Sequence, residues 1–216
     1  MASAGSKFHT AKKEGWWDVK VEQPEFTGRS KVQRAANAVC ASAAKMSFNH
    51  FLSEAKKDAP SMQGRDHFGG YFMDSRFRTT TNSSELVSGH WTTYTYTGGA
   101  HGMTNFRTVN IGWHWGEVKE LDIQDLFLPG VDGMREARFV VLQKLRAEER
   151  ADWVQDGDFM LADEILENFV ISTKGITWLI EPYAVGSYAS GSFEITIPFN
   201  DIFGLDRDGA LKSVMR

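Results

Sequence analysis

Residues 71–115, YFMDSRFRTTTNSSELVSGHWTTYTYTGGAHGMTNFRTVNIGWHW, decide the fold. Tyr71, Met73, Ser75 and Phe77 alternate with Phe72, Asp74, Arg76 and Arg78, a period of two that sends one set of side chains to each face of a strand. The run from Leu86 to Thr97 ends in TTYTYT, where alternating Thr and aromatic residues fit a pleated surface better than a helix. After Gly98-Gly99-Ala100-His101-Gly102 a third strand is predicted from Thr104 to Trp115, with Val109, Ile111, Trp113 and Trp115 on one face. Three such strands in series predict an antiparallel meander.

Upstream, WWDVKV (Trp16–Val21) predicts a first strand, which Gln23-Pro24-Glu25 should end because proline lacks the N–H that a ladder needs. From Gly28 to Lys57 the period becomes helical, with Val32, Ala36, Val39, Ala43 and Met46 spaced by three and four, in one long helix or two. Asp58-Ala59-Pro60 is expected to stop it. Its alanine-rich face suits close packing on a sheet. Downstream, EVKELDIQDLF (Glu117–Phe127) predicts a short strand and a helical turn opened by Asp122. A second helix is predicted from Gly133 to Trp153 and a short one from Asp158 to Leu166. Strands follow at Asn168–Thr173, Gly175–Glu181 and Phe193–Pro198, the first two joined by a tight turn at Lys174-Gly175. The expected fold is α+β, with mainly antiparallel sheets packed against two principal helices.

Composition agrees. The chain has 216 residues, 42% hydrophobic and 24% charged, as in ordinary globular proteins, and its 7 Trp, 15 Phe and 20 Gly beside 5 Pro favour sheet. Lys and Arg number 24 against 28 Asp and Glu, so no field for polyanions exists and nucleic acid is not an expected partner. Cys40 stands alone, which excludes an intramolecular disulfide and a cysteine metal cluster. Its setting, VQRAANAVCASAAKM, predicts an inert buried thiol. No apolar stretch approaches the ~18 residues of a membrane span, and the start MASAGSKFHTAKKEG lacks the apolar core of a signal peptide.

Chemical motifs are sparse. His90, His101 and His114 fall on or beside adjacent predicted strands, yet none has an acidic partner at ligand spacing, so no metal is expected. No GxSxG elbow, P-loop or GxGxxG occurs, and no cofactor is expected. Two glycine-bearing loops remain. In TYTGGAHGMTNF the glycines permit positive φ, and His101 either caps its own loop through backbone hydrogen bonds or acts chemically. In EPYAVGSYASGSFEITIPF, Pro182, Tyr183, Gly186, Tyr188 and Gly191 form a long aromatic loop between strands, a common place for recognition. A pairing of His101 with Ser190 across these loops is conceivable, but no orienting carboxylate is evident.

TYTGGAHGMTNFRTVNI, then ELDIQDLFLPG, then a helix, then GITWLIEPYAVGSYASGSFEITIPF, resembles in this order the paired extracytoplasmic domains of unknown function found in the ectodomain of the lysozyme-sensing anti-sigma factor RsiV and the noncatalytic part of the peptidoglycan deacetylase PdaC. The opening WWDVKVEQPEFTG is similar to the family's first strand and proline turn, so the likeness runs from Gly15 to Gly204. It implies two tightly joined α+β subdomains, 15–116 and 117–204, exported to the periplasm or cell surface and without established catalytic residues. The first Met then stands as an expression start in place of a signal peptide.

Function should therefore lie in a noncatalytic extracytoplasmic recognition domain for a cell-envelope component, such as a peptidoglycan-related ligand, or for a protein such as lysozyme. Gly98, Gly99, His101, Pro182, Tyr183, Tyr188 and Ser190 form its expected contact surface. The alternative is a hydrolase or carbohydrate-processing enzyme using His101 as acid or base with Glu181 or Asp125. A third reading makes Trp91, Trp113 and Trp115 a glycan-stacking platform, although their alternation with polar neighbours places them in the core.

Overall fold

The computed structural model describes residues 5–64, 68–155 and 159–215. Its first sheet has six strands in sequential order: β1 (Gly5–Lys13), β2 (Trp17–Glu25), β3 (Tyr71–Asn82), β4 (Leu86–Tyr96), β5 (Met103–His114) and β6 (Glu117–Glu120). All neighbours are antiparallel except β2 and β3, which run parallel because α1 (Lys31–Met62) crosses between them. The expected meander is β3–β4–β5. Beyond it lie α2 (Gly133–Arg146), α3 (Asp163–Leu166) and a second antiparallel sheet of β7 (Phe169–Ser172), β8 (Gly175–Ile180) and β9 (Phe193–Ile197). The class is the α+β one expected. The predicted start of the short helix at Asp158 lies outside the described residues.

Helix α1 begins at a capping box, in which Ser30 Oγ accepts from Gln33 N at 3.1 Å and the Gln33 side chain accepts from Ser30 N at 3.3 Å. Val32, Ala36, Cys40, Ala43 and Ala44 are buried against Val19, Val21, Met73, Trp91, Val109 and Ile111, so small side chains on the helix meet larger ones on the sheet. The other main core lies between α2 and the second sheet. There Ala137, Val141 and Leu145 pack with Phe169, Ile171, Trp178, Ile180, Phe193 and Ile195.

Four local expectations need correction. The polar start is strand β1, whose side chains are mostly exposed and so carry no apolar alternation; it is held by pairing with β2 along its whole length. Pro24 does not end β2, because β3 runs beside β2 only from Trp17 to Val21 and no ladder there requires the missing N–H. Pro60 lies inside α1, where the buried Ala55 and Ala59 pack against Tyr71 and hold the last turn in place. Trp115 leaves the Trp113 face: β5 ends at His114, and Trp115 (φ 50°) and Gly116 (φ 84°) form the corner of the β5–β6 hairpin with the indole 79% exposed.

The two sheets meet along one polar seam. Leu179 N–H donates to Asn168 O at the end of the β7–β8 hairpin, and antiparallel alternation then turns the backbone groups of Phe169 and Ile171 away from β8. Side chains of the first sheet satisfy them. Asn110 Nδ2 donates to Phe169 O at 2.8 Å, and Ile171 N–H donates to Ser88 Oγ at 2.7 Å. Ser88 Oγ in turn donates to Asn110 Oδ1 at 2.7 Å. Thr80 and Thr81 both donate to Ile171 O, at 2.9 and 2.7 Å. Successive strand residues normally face opposite ways, and the register shift between Thr79 and Thr81 is what lets both hydroxyls reach one carbonyl.

Ser88 and Asn110 are 0% and 3% exposed, so truncation leaves buried groups unpaired. Asn110→Ala should lower unfolding free energy by about 2–3 kcal/mol in urea denaturation, whereas Thr81→Val, with Thr80 still donating, should cost about 1 kcal/mol or less. Equal costs for the two would contradict this account of the seam. Cys40 is fully buried, and burial is the main cause pushing its thiol up to about 12. A thiol reagent should therefore modify Cys40 only as the protein unfolds; rapid labelling in native buffer would refute its inert role.

Candidate functional site

The loop between β4 and β5 is shaped by glycines with different duties. Gly98 takes a left-handed backbone (φ 92°) that other residues rarely adopt, with the ends of the Met62 and Phe68 side chains packed against it. Gly99 has no such restriction. Gly102 is buried under the Tyr94 ring and beside Thr95 O, so a side chain there would displace the loop. These contacts bring His101 back over its own chain, with Nδ1 2.9 Å from Gly102 O.

The loop between β8 and β9 is anchored at several points. The Glu181 carboxylate accepts from Phe106 N–H at 3.0 Å, sealing part of β5 that β6 does not reach. Pro182 and Val185 are buried, and Val185 O accepts from Trp153 N–H at 3.3 Å. Gly186 fits beneath Arg150 O and the Asp152 carboxylate. The Arg150 guanidinium donates to Ser190 O at 2.8 Å and lies 4.6 Å from the centre of the Phe193 ring. Between these anchors the chain presents Tyr183, at φ 68° and 47% exposed.

The loops converge. His101 stacks on Tyr188 with ring centres 3.8 Å apart and planes at 21°. Tyr183 OH lies 3.3 Å from His101 Nε2, and the two tyrosine rings are 5.6 Å apart. Tyr188 OH donates to Gly102 O at 3.0 Å. A carbonyl only accepts, so Nδ1 carries the imidazole proton in this arrangement and Nε2 accepts from the Tyr183 phenol. The half-exposed pair Phe72 and Tyr94, 6.1 Å apart, continues the aromatic surface past Gly102.

Of the residues singled out from sequence, His101, Tyr183 and Tyr188 thus touch directly. Gly98, Pro182 and Ser190 shape or anchor the loops. Ser190 Oγ lies 3.3 Å from Ser187 Oγ, and among the described residues it makes no hydrogen bond to His101. The carboxylates considered for acid–base work are engaged elsewhere: Glu181 with Phe106 N, and Asp125 with Lys119 Nζ at 2.6 Å, Asp122 N at 3.0 Å and His114 Nε2 at 3.3 Å. No group of three or more His, Cys, Asp or Glu side chains suited to a metal occurs among the described residues. Trp91 is buried and donates from Nε1 to Glu22 O at 2.6 Å, Trp113 packs half-buried under α1, and only Trp115 projects outward, so the three indoles share no platform.

Sequence reasoning missed Tyr94, Arg150 and the anchoring role of Glu181. Tyr94 reads as one more strand aromatic, and Arg150 follows a helix with no local sign of a target forty residues on. Beside Glu181, a cavity of about 390 Å³ is bordered by Glu164, Glu167, Arg107 and Thr108. Burial, reinforced by the charges of Asp122, Asp125 and Asp163, raises the Glu167 pKa against the opposing hydrogen bond from Ile123 N–H.

Comparisons with known proteins agree with this architecture. Residues 10–104 match the family model described as Deacetylase PdaC, and residues 124–200 match that of a protein of unknown function, DUF3298. No curated protein matches the chain by sequence. A DUF3298 family member from Bacteroides fragilis superposes with a TM-score of 0.61 at 15% identity, covering 95% of this chain and 94% of its own. A DUF3298 family protein from Pseudomonas aeruginosa PAO1 gives a TM-score of 0.61 at 18% identity, over 94% of this chain and 92% of its own. At such identities the likeness is one of fold. In this order, the two family matches are those of the paired domains of unknown function that the sequence resembles.

Proposed function

We propose that this chain is a noncatalytic extracytoplasmic recognition domain that holds a cell-envelope component, or a protein such as lysozyme, on the surface formed by Tyr183, His101 and Tyr188. It would work in the periplasm or outside the cell, with subdomains 15–116 and 117–204 each giving one loop to the contact. The family matches support the setting, and no described helix is long and apolar enough to cross a membrane.

Tyr183 carries the reading. A bulky residue in the left-handed region is strained, and such strain persists where surrounding contacts over-determine it, commonly at functional sites. Here the strained residue holds its aromatic side chain half out in solvent. Its phenol is already bonded to His101, and Tyr188 is stacked beneath the imidazole, so little side-chain freedom remains to be lost when a partner docks. The same contacts occupy the His101 lone pair without a carboxylate behind it, a poor arrangement for proton transfer and a good one for a rigid aromatic anchor.

Calorimetry with lysozyme and with soluble peptidoglycan fragments tests the proposal. One of them should bind, and Tyr183→Ala should weaken that binding by about 2 kcal/mol, roughly thirtyfold, with no fall in the unfolding midpoint. Failure of both ligands, or equal binding by Tyr183→Ala, would overturn it. Gly102→Ala, which forces Tyr94 and the loop apart, should weaken binding at least as much; full affinity in that variant would show that the loop geometry is irrelevant.

A further inference from the structure

A second cavity opens where the sheets face one another, on the side of the seam occupied by His90. It measures about 400 Å³, within the range of small-molecule sites, and its walls come from both sheets. Arg78 and His90 line it from the first sheet, and Lys174, Thr177, Glu194 and Thr196 from the second. His90 is 2% exposed, and its Nδ1 is fully enclosed without a hydrogen-bond partner among the described residues. Its ring meets Phe106 edge-on, with 6.0 Å between centres. Buried polar side chains are nearly always paired, and those that are not commonly mark an ion, water or ligand position.

The lining defines the chemistry. Burial is the leading cause that keeps His90 below the ordinary histidine range; Glu194 opposes it and Arg78 reinforces it. The ring is therefore neutral, offering one N–H and one lone pair, which a hydroxyl can match in either sense. Arg78 and Lys174 set two positive charges against Glu194 alone. The Arg78–Glu194 pair is open at 3.5 Å with both side chains more than half exposed, so the guanidinium is free to take a second anion. One net positive charge suits a carboxylate, whereas a phosphate dianion would meet Glu194 with no further cation to offset it. Thr177 and Thr196, their hydroxyls 2.8 Å apart, add further groups for a polyhydroxylated ligand.

We propose that this cavity is a binding site for a small hydroxy-carboxylate of sugar-acid type, its carboxylate on Arg78 and Lys174 and a hydroxyl at His90. The site is separate from the Tyr183 surface and does not depend on it. Glucuronate titrated into the full chain, followed by calorimetry and by the His90 ring signals in NMR, provides the test. Saturable binding with a shift at His90 is expected, and Lys174→Gln, a change in an exposed turn, should weaken it about tenfold, as should Arg78→Gln. Glucose, lacking the carboxylate, and acetate, lacking the hydroxyls, should each bind more weakly than glucuronate. No saturable binding of glucuronate, or binding that both variants leave unchanged, would overturn the proposal.

Discussion

Everything above the level of the separate sheets depends on how the open edge of β7 is satisfied. A four-residue strand with one free side would ordinarily invite another strand, yet here five side-chain hydrogen bonds from β3, β4 and β5 take up Phe169 O, Ile171 N and Ile171 O and link Ser88 to Asn110. Side chains make this join more directional than a greasy interface, because each donor must meet its acceptor within hydrogen-bond geometry. The seam fixes register as well as contact. A slip of one residue along β7 would present groups that belong to β8.

That fixed register accounts for the loops. Glu181 closes β5 at Phe106, and from there the β8–β9 connection reaches across to the β4–β5 connection, where Tyr188 bonds Gly102 O and stacks on His101. Neither loop could build the cluster alone. The surface proposed for recognition is a product of the seam, which holds in one place two segments more than eighty residues apart.

Much of this was legible in the sequence. The period-two runs of Tyr71–Phe77 and Phe193–Ile197 mark strands because each has one buried face, and the three- and four-residue spacing from Val32 to Met46 marks a helix for the same reason. Where burial did not write the pattern, reading failed. β1 has little buried surface, Pro24 depends on how far a neighbouring strand extends, and Pro60 depends on tertiary packing of Ala55 and Ala59. The loop residues stood out through their glycines and aromatics, but their meeting did not. The partners of Ser88 and Asn110, two ordinary polar residues within strands, lie eighty-three and fifty-nine positions downstream, respectively, and nothing local announces that distance.

The central claim is that two loops, joined through the seam, form one contact surface. Mapping backbone and aromatic NMR signals while lysozyme or a peptidoglycan fragment is added measures this most directly. The account predicts that signals of Tyr183, Tyr188 and His101 move together at a single saturating concentration, with Phe72 and Tyr94 responding beside them. Shifts confined to one loop, or located away from both while the ligand binds, would contradict it.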